Sequence, residues 1–230
     1  MNNLSLSNPQ FLLFGIYPYL ALTICLLGSW ARYDLAPYTW KAQSSQLLRG
    51  KHMRLASNFF HIGIIFVLCG HFVGLLTPHI LYEHLISAPQ KQMLAMVSGG
   101  GFGLLCLAGL LMLLYRRLMD ARVRASSSFS DSAILFVLLT QLLLGLSTII
   151  VSSMHLDGSE MLLLADWAQA IATLHPQDAT QFVASVHILF KLHILLGLSL
   201  FILFPFTRLV HIASVPVWYF GRKYQIVRQR

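Results

Sequence analysis

Four histidines sit in stretches otherwise apolar enough to cross a lipid bilayer. His61 and His71 lie in FHIGIIFVLCGHF, residues 60–72, and His193 and His211 lie between Ser185 and Val215. An ionisable side chain is expensive in hydrocarbon unless it has a partner, so each is a candidate for function. His193 and His211 are 18 residues apart. On a continuous α-helix that is five whole turns, with both imidazoles on one face and about 27 Å between them. His61 and His71 are ten residues apart, a rise of about 15 Å. His187 falls about 120° away from the face of His193 and reads as a bystander near the membrane surface.

If the two stretches run antiparallel across a membrane, depth pairs His71 with His193 and His61 with His211. Crossed pairing needs a ligand that bridges most of the bilayer. Two imidazole pairs at two depths suit two haems, since histidine is a common axial ligand of haem iron. Gly63, Gly70, Gly74 and Gly197 lie close by in sequence and leave room for a macrocycle. A bare zinc ion wants four protein ligands, or three and a water, and nothing supplies the remainder. The two rises do not match for straight parallel helices. Tilt, the Pro205 position or oblique haems must absorb the difference. Any one of these histidines can instead hydrogen-bond a neighbouring helix, but four in two depth-matched pairs favour ligation.

The elements that carry these residues follow from composition. The 230 residues are 57% hydrophobic and 10% charged, where a soluble domain carries about 25% charged residues. This is the balance of a single integral membrane bundle. The +8 net charge does not mark a nucleic-acid binder, because the basic residues sit in clusters between apolar runs. Those runs fall at 11–30, 59–76, 93–115, 133–151 and 187–207, each near the ~20 residues that span a bilayer. The expected fold is all-α, one five-helix transmembrane domain over 1–230, with a tail at 208–230. Pro205 is expected to kink or loosen the last helix. The glycines of Ser98–Gly103 are expected to serve helix packing rather than phosphate binding, since no strand precedes them. Cys25, Cys69 and Cys106 all fall in apolar runs and form no disulfide or metal motif.

Orientation follows from the cations. Arg32, Lys41, Arg49, Lys51 and Arg54 separate the first two runs, and Arg116, Arg117, Arg122 and Arg124 the third and fourth. Arg208, Arg222, Lys223, Arg228 and Arg230 end the chain. The positive-inside rule then puts the N-terminus in the periplasm and the C-terminus in the cytoplasm. The acidic stretch 152–182 and Lys91 lie on the outer side. With no basic residue before it, the first run reads as a retained anchor rather than a cleaved signal.

The motifs IYPY (16–19), GSWARYD (28–34), YTW (38–40), SSQ (44–46), ASNFFHIGI (56–64), GHFVGLLTPH (70–79), HLDGSE (155–160) and LFPFTRLVHIASVP (203–216) resemble the gamma subunit of membrane-bound respiratory nitrate reductase. The likeness covers nearly the whole chain and includes loops. It implies a dihaem cytochrome b of the bacterial inner membrane that oxidises ubiquinol or menaquinol near its outer face. By position, His71 and His193 would ligate the outer (distal) haem b, and His61 and His211 the inner (proximal) haem b. Lys91 matches a lysine implicated in quinol binding, with Gly70 and His71 beside the same pocket. The implied partners, an iron–sulfur beta subunit and a molybdenum-containing alpha subunit, lie on the cytoplasmic face. The basic loops, the tail and its aromatics Trp218, Tyr219 and Tyr224 offer surfaces for them or for lipid. HLDGSE, with His155, Asp157 and Glu160, is either a proton relay or a hydrogen-bonded loop. Two other classes stay open at this point: a quinone-linked cytochrome b anchor of a sulfur-compound or heterodisulfide reductase, and a haem-free transporter.

Overall fold

The computed structural model describes residues 8–41, 52–214 and 221. Among them the regular structure is entirely helical. Five helices are long and apolar enough to cross a membrane: Pro9–Leu35, Met53–Leu76, Ala88–Met119, Phe129–Ser152 and Ile188–Phe206. Each contains or closely matches an expected run, extended by polar caps that hydropathy alone leaves out.

Helix α1 (Tyr17–Leu35) is preceded by a π turn at Leu12–Ile16. Pro18 has no N–H to offer the Phe14 carbonyl, and that carbonyl accepts instead from Trp167 Nε1 at 3.0 Å. Helices α2 (Met53–Leu76) and α3 (Ala88–Met119) follow. A capping box starts α3: the Ser87 hydroxyl accepts from the Gln90 amide, and Gln90 Oε1 accepts from the Ser87 amide. A second box, Ser128 with Asp131, starts α4 (Phe129–Ser152).

The acidic stretch 152–182 is not a simple connection. It folds into α5 (Ser159–Ala172) and α6 (Pro176–Ala184). Trp167, Ala170, Ile171, Ala179 and Val183 from these helices join Phe14, Val186 and Phe190 in one buried cluster. His187 caps α7 (Ile188–Leu203), its Nδ1 accepting from the Leu189 amide at 3.2 Å.

Helix α2 packs on α3, α3 on α4, α4 on α7, and α7 on α1. The two histidine-bearing helices, α2 and α7, are not a closely packed pair. The α2–α3 contact is very tight. A Cβ on Gly63 would lie 2.6 Å from Cys106, and one on Gly109 would collide with the Phe60 backbone nitrogen. Gly63 therefore serves the helix crossing rather than a cofactor. Gly197 likewise faces Gln141, at 3.1 Å. Within Ser98–Gly103, Gly103 faces Leu146 and Gly100 faces Ile149, as packing requires, while Gly99 and Gly101 face open space. All three cysteines are free.

The expected five-turn continuity of His193 and His211 does not hold. Helix α7 ends at Leu203, and 3₁₀ segments run over Phe204–Phe206 and Arg208–Ser214. Pro205 lacks the N–H that would continue the α-helix, and Thr207 between the segments is extended. The straight-helix separation of about 27 Å therefore does not apply to this pair. Arg49, Lys51, SSQ, Trp218, Tyr219, Tyr224 and the basic tail residues from Arg222 onward lie outside the described residues.

Candidate functional site

Each expected histidine pair meets across the slot between α2 and the α7 end of the chain. The His71 and His193 ring centres are 6.0 Å apart, and those of His61 and His211 are 6.4 Å apart. The rings are inclined by 40° and 73° rather than stacked face to face, and the separations also suit a shared metal. A metal–imidazole bond of about 2.0–2.1 Å on each side, plus about 1.1 Å from nitrogen to ring centre, puts two axial imidazoles about 6.2 Å apart centre to centre. Among the described residues no group of three or more His, Cys, Asp or Glu converges on one point. The donor sets are pairs, which fit an iron whose other four bonds belong to a macrocycle.

Backbone carbonyls fix the ring orientation. His61 Nδ1 lies 2.7 Å from Ser57 O, His71 Nδ1 2.8 Å from Val67 O, and His211 Nδ1 2.5 Å from Arg208 O. A proton on Nδ1 bonded in this way leaves Nε2 available to a metal. For His61 and His71 the acceptor is the carbonyl four residues earlier, within reach because the imidazole points back along the helix. His193 differs. Its Nδ1 is buried with no hydrogen-bond partner, an arrangement that costs free energy unless something completes it. Its backbone carbonyl accepts from Gln141 Nε2 at 3.1 Å. Gly145 makes room for the ring: a Cβ there would come within 2.9 Å of His193 Cε1. Neither Gln141 nor Gly145 carries a signal in the sequence, because only tertiary packing of α4 on α7 gives them meaning. Gly70 faces nothing within 4 Å, and Gly74 faces only Met161 Cε at 4.0 Å. Both leave open space beside His71.

Lys91 is not the solvated loop cation that its sequence position implies. It lies in the first turn of α3 and is only 8% exposed. Its Nζ is buried, has no hydrogen-bond partner, and sits 3.7 Å from the centre of the Tyr82 ring. The cation–π contact offsets part of the desolvation cost but leaves every N–H unused. Burial pushes the Tyr82 phenol above its ordinary value, and the nearby Asp166 and Glu83 charges add to this, so Tyr82 stays neutral. Gln92 beside it donates to the carbonyls of Ser152 and His155 at 2.9 and 2.7 Å, pinning the end of α4 and the loop after it to α3.

The HLDGSE segment is a hydrogen-bonded loop around Gly158, whose φ of +82° favours glycine. A Cβ at Gly158 would also meet Ala88 at 2.8 Å, so the loop lies directly on the start of α3. Asp157 Oδ1 accepts from the Ser159 amide and hydroxyl at 3.2 and 2.9 Å. Those bonds hold its carboxyl below the usual carboxylate range. Glu160 Oε2 is buried without a hydrogen-bond partner.

Comparison with known proteins covers almost the full chain. A family model described as nitrate reductase gamma subunit matches residues 10–230. The chain is 53% identical over 217 residues to the respiratory nitrate reductase 1 gamma chain of Escherichia coli (strain K12), covering 94% of this chain and 96% of that one. It is 50% identical to the respiratory nitrate reductase 2 gamma chain of the same organism, with the same coverage. It is 38% identical to the nitrate reductase gamma chain of Bacillus subtilis (strain 168), covering 95% of this chain and 98% of that one.

Proposed function

The chain belongs to the nitrate reductase gamma subunit family, and from that premise we propose that it is the quinol-oxidising dihaem cytochrome b of a respiratory nitrate reductase. The observation that carries this reading is the pair of imidazole couples at 6.0 and 6.4 Å. His71 and His193 would hold the distal haem b, and His61 and His211 the proximal one. When bound, the haems supply one-electron chemistry at two membrane depths.

The protein's own contribution begins at Lys91. Its unused N–H groups supply donors for a quinol oxygen in a site largely shielded from water. A charge-assisted hydrogen bond there is worth about 1.5–3 kcal/mol. The Tyr82 ring holds the ammonium in place, and Gly70 leaves room for the quinol head beside His71. Ubiquinol or menaquinol gives up two electrons and two protons, and the protons leave on the outer, periplasmic side. The iron–sulfur beta and molybdenum-containing alpha subunits receive the electrons on the cytoplasmic face, where nitrate becomes nitrite. The asymmetry of the basic loops supports this orientation in the bacterial inner membrane.

The test is quinol-driven haem reduction in membranes containing the intact complex. Lys91→Ala is expected to leave the dithionite-reduced spectrum unchanged while quinol reduces the haems far more slowly. Reduction by quinol at the wild-type rate would overturn the assignment of Lys91.

A further inference from the structure

We infer that Arg32, the arginine of the GSWARYD motif, is a positioning residue that holds His211 opposite His61. This rests on the reading of those two histidines as ligands of one haem. His211 lies beyond the end of α7, on the 3₁₀ segment Arg208–Ser214. Such segments have poorer hydrogen-bond geometry than α-helices and seldom persist beyond 3–4 residues unaided. The extended residue Thr207 also separates it from the preceding turn. A ligand carried there needs an external frame.

Helix α1 supplies that frame. Arg32 Nη1 donates to Pro205 O at 2.7 Å and to Thr207 O at 2.9 Å, the carbonyls on either side of the break. Its other nitrogens are held by Thr39: Nε donates to Thr39 Oγ1 at 3.1 Å and Nη2 to Thr39 O at 2.8 Å. Thr39 Oγ1 in turn donates to Ala36 O at 2.8 Å. Gly28, one turn earlier on the same face of α1, lets Pro205 in; a Cβ there would come within 2.9 Å of Pro205 Cγ. Trp40 Nε1 donates to Ser214 Oγ at the far end of the segment. On the opposite side, Arg208 Nε pairs with Asp131 Oδ1 of α4 at 2.9 Å. The Arg208 carbonyl then accepts from His211 Nδ1, so the imidazole inherits the position of a backbone held from both sides. Only a planar guanidinium can address both broken-helix carbonyls and Thr39 at once.

The experiment uses the intact membrane complex, with redox titration and EPR of the two haem signals assigned by His61→Ala and His71→Ala. In Arg32→Gln the inner signal is expected to shift or disappear while the outer signal and its potential stay unchanged. Arg32→Lys is expected not to restore the inner signal. An unchanged inner signal and potential in a fully loaded Arg32→Gln complex would overturn the inference, as would equal disturbance of both haems. Should Arg32→Gln fail to assemble, Thr39→Val keeps the guanidinium but removes an acceptor that aims it. A smaller shift confined to the inner haem is then expected, and no shift would refute the role. A wild-type complex without two haem signals would refute the dihaem reading instead.

Discussion

Gly145→Ala tests the geometry of one proposed haem ligand, His193, without replacing it. The added Cβ would lie 2.9 Å from His193 Cε1, 3.5 Å from Nδ1 and 3.6 Å from Nε2. Ordinary carbon contacts are about 3.5–4.0 Å, so the ring must recede by at least about 0.6 Å. The bond from Gln141 to the His193 carbonyl holds the backbone, and the movement falls mainly on the side-chain torsions. A displacement of about 30° from a rotamer costs about 0.5–1.5 kcal/mol. At about 1.4 kcal/mol per tenfold, haem retention at the His71–His193 site should weaken about two- to twelve-fold. Helix propensity works the other way, since alanine favours α4 by about 1 kcal/mol over glycine. Thermal stability of the apoprotein should therefore hold or rise while outer haem affinity falls. The assay is equilibrium haem titration of membranes, with the outer and inner sites followed separately by EPR. An unchanged affinity at the His71–His193 site, or an equal loss at both sites, would refute the steric argument.

Lys91→Ala should lower kcat/KM for quinol about 10- to 150-fold, the equivalent of a charge-assisted hydrogen bond of about 1.5–3 kcal/mol; steady-state quinol:nitrate assays measure it. Tyr82→Leu removes the ring beneath the ammonium and should raise KM for quinol more than it lowers kcat, as read from the same assays. Gly109→Ala drives a methyl into the Phe60 backbone and Ala56 O; it should destabilise the α2–α3 pair by about 1–3 kcal/mol or more, measured as a lower unfolding temperature in detergent. The Asp157 carboxyl is depressed by its bonds to Ser159, so its contribution is present above the ordinary carboxylate range and is lost as pH falls through its own lower value; hydrogen exchange at the Ser159 amide should accelerate over that window.

The five spans and the pairing of histidines by depth were legible because hydropathy and helical periodicity are local properties. The acidic stretch 152–182 hid two elements. Helices α5 and α6 are short and carry Glu160, Asp166 and Asp178, so they read as an acidic connection; their stability comes from Trp167, Ala179 and Val183 packing on Phe14 and Phe190. Pro205 signalled a break, but nothing local showed that His211 would stand on the far side of it. Lys91 was legible only through family likeness, because its place over the Tyr82 ring is a tertiary contact that the sequence does not display. Gly145 and Gln141 were silent for the same reason: their roles are set by His193, about fifty residues away. Gly63 and Gly197 misled, being near ligands in sequence but turned toward other helices.

The central claim is that two histidine pairs hold two haems, and haem content per chain tests it most directly. The purified complex should give a dithionite-reduced minus oxidised spectrum with two b-type haems per chain. His71→Ala should remove one and His61→Ala the other. A fully assembled complex with no b-type haem, or one whose haem content survives both substitutions, would contradict the account.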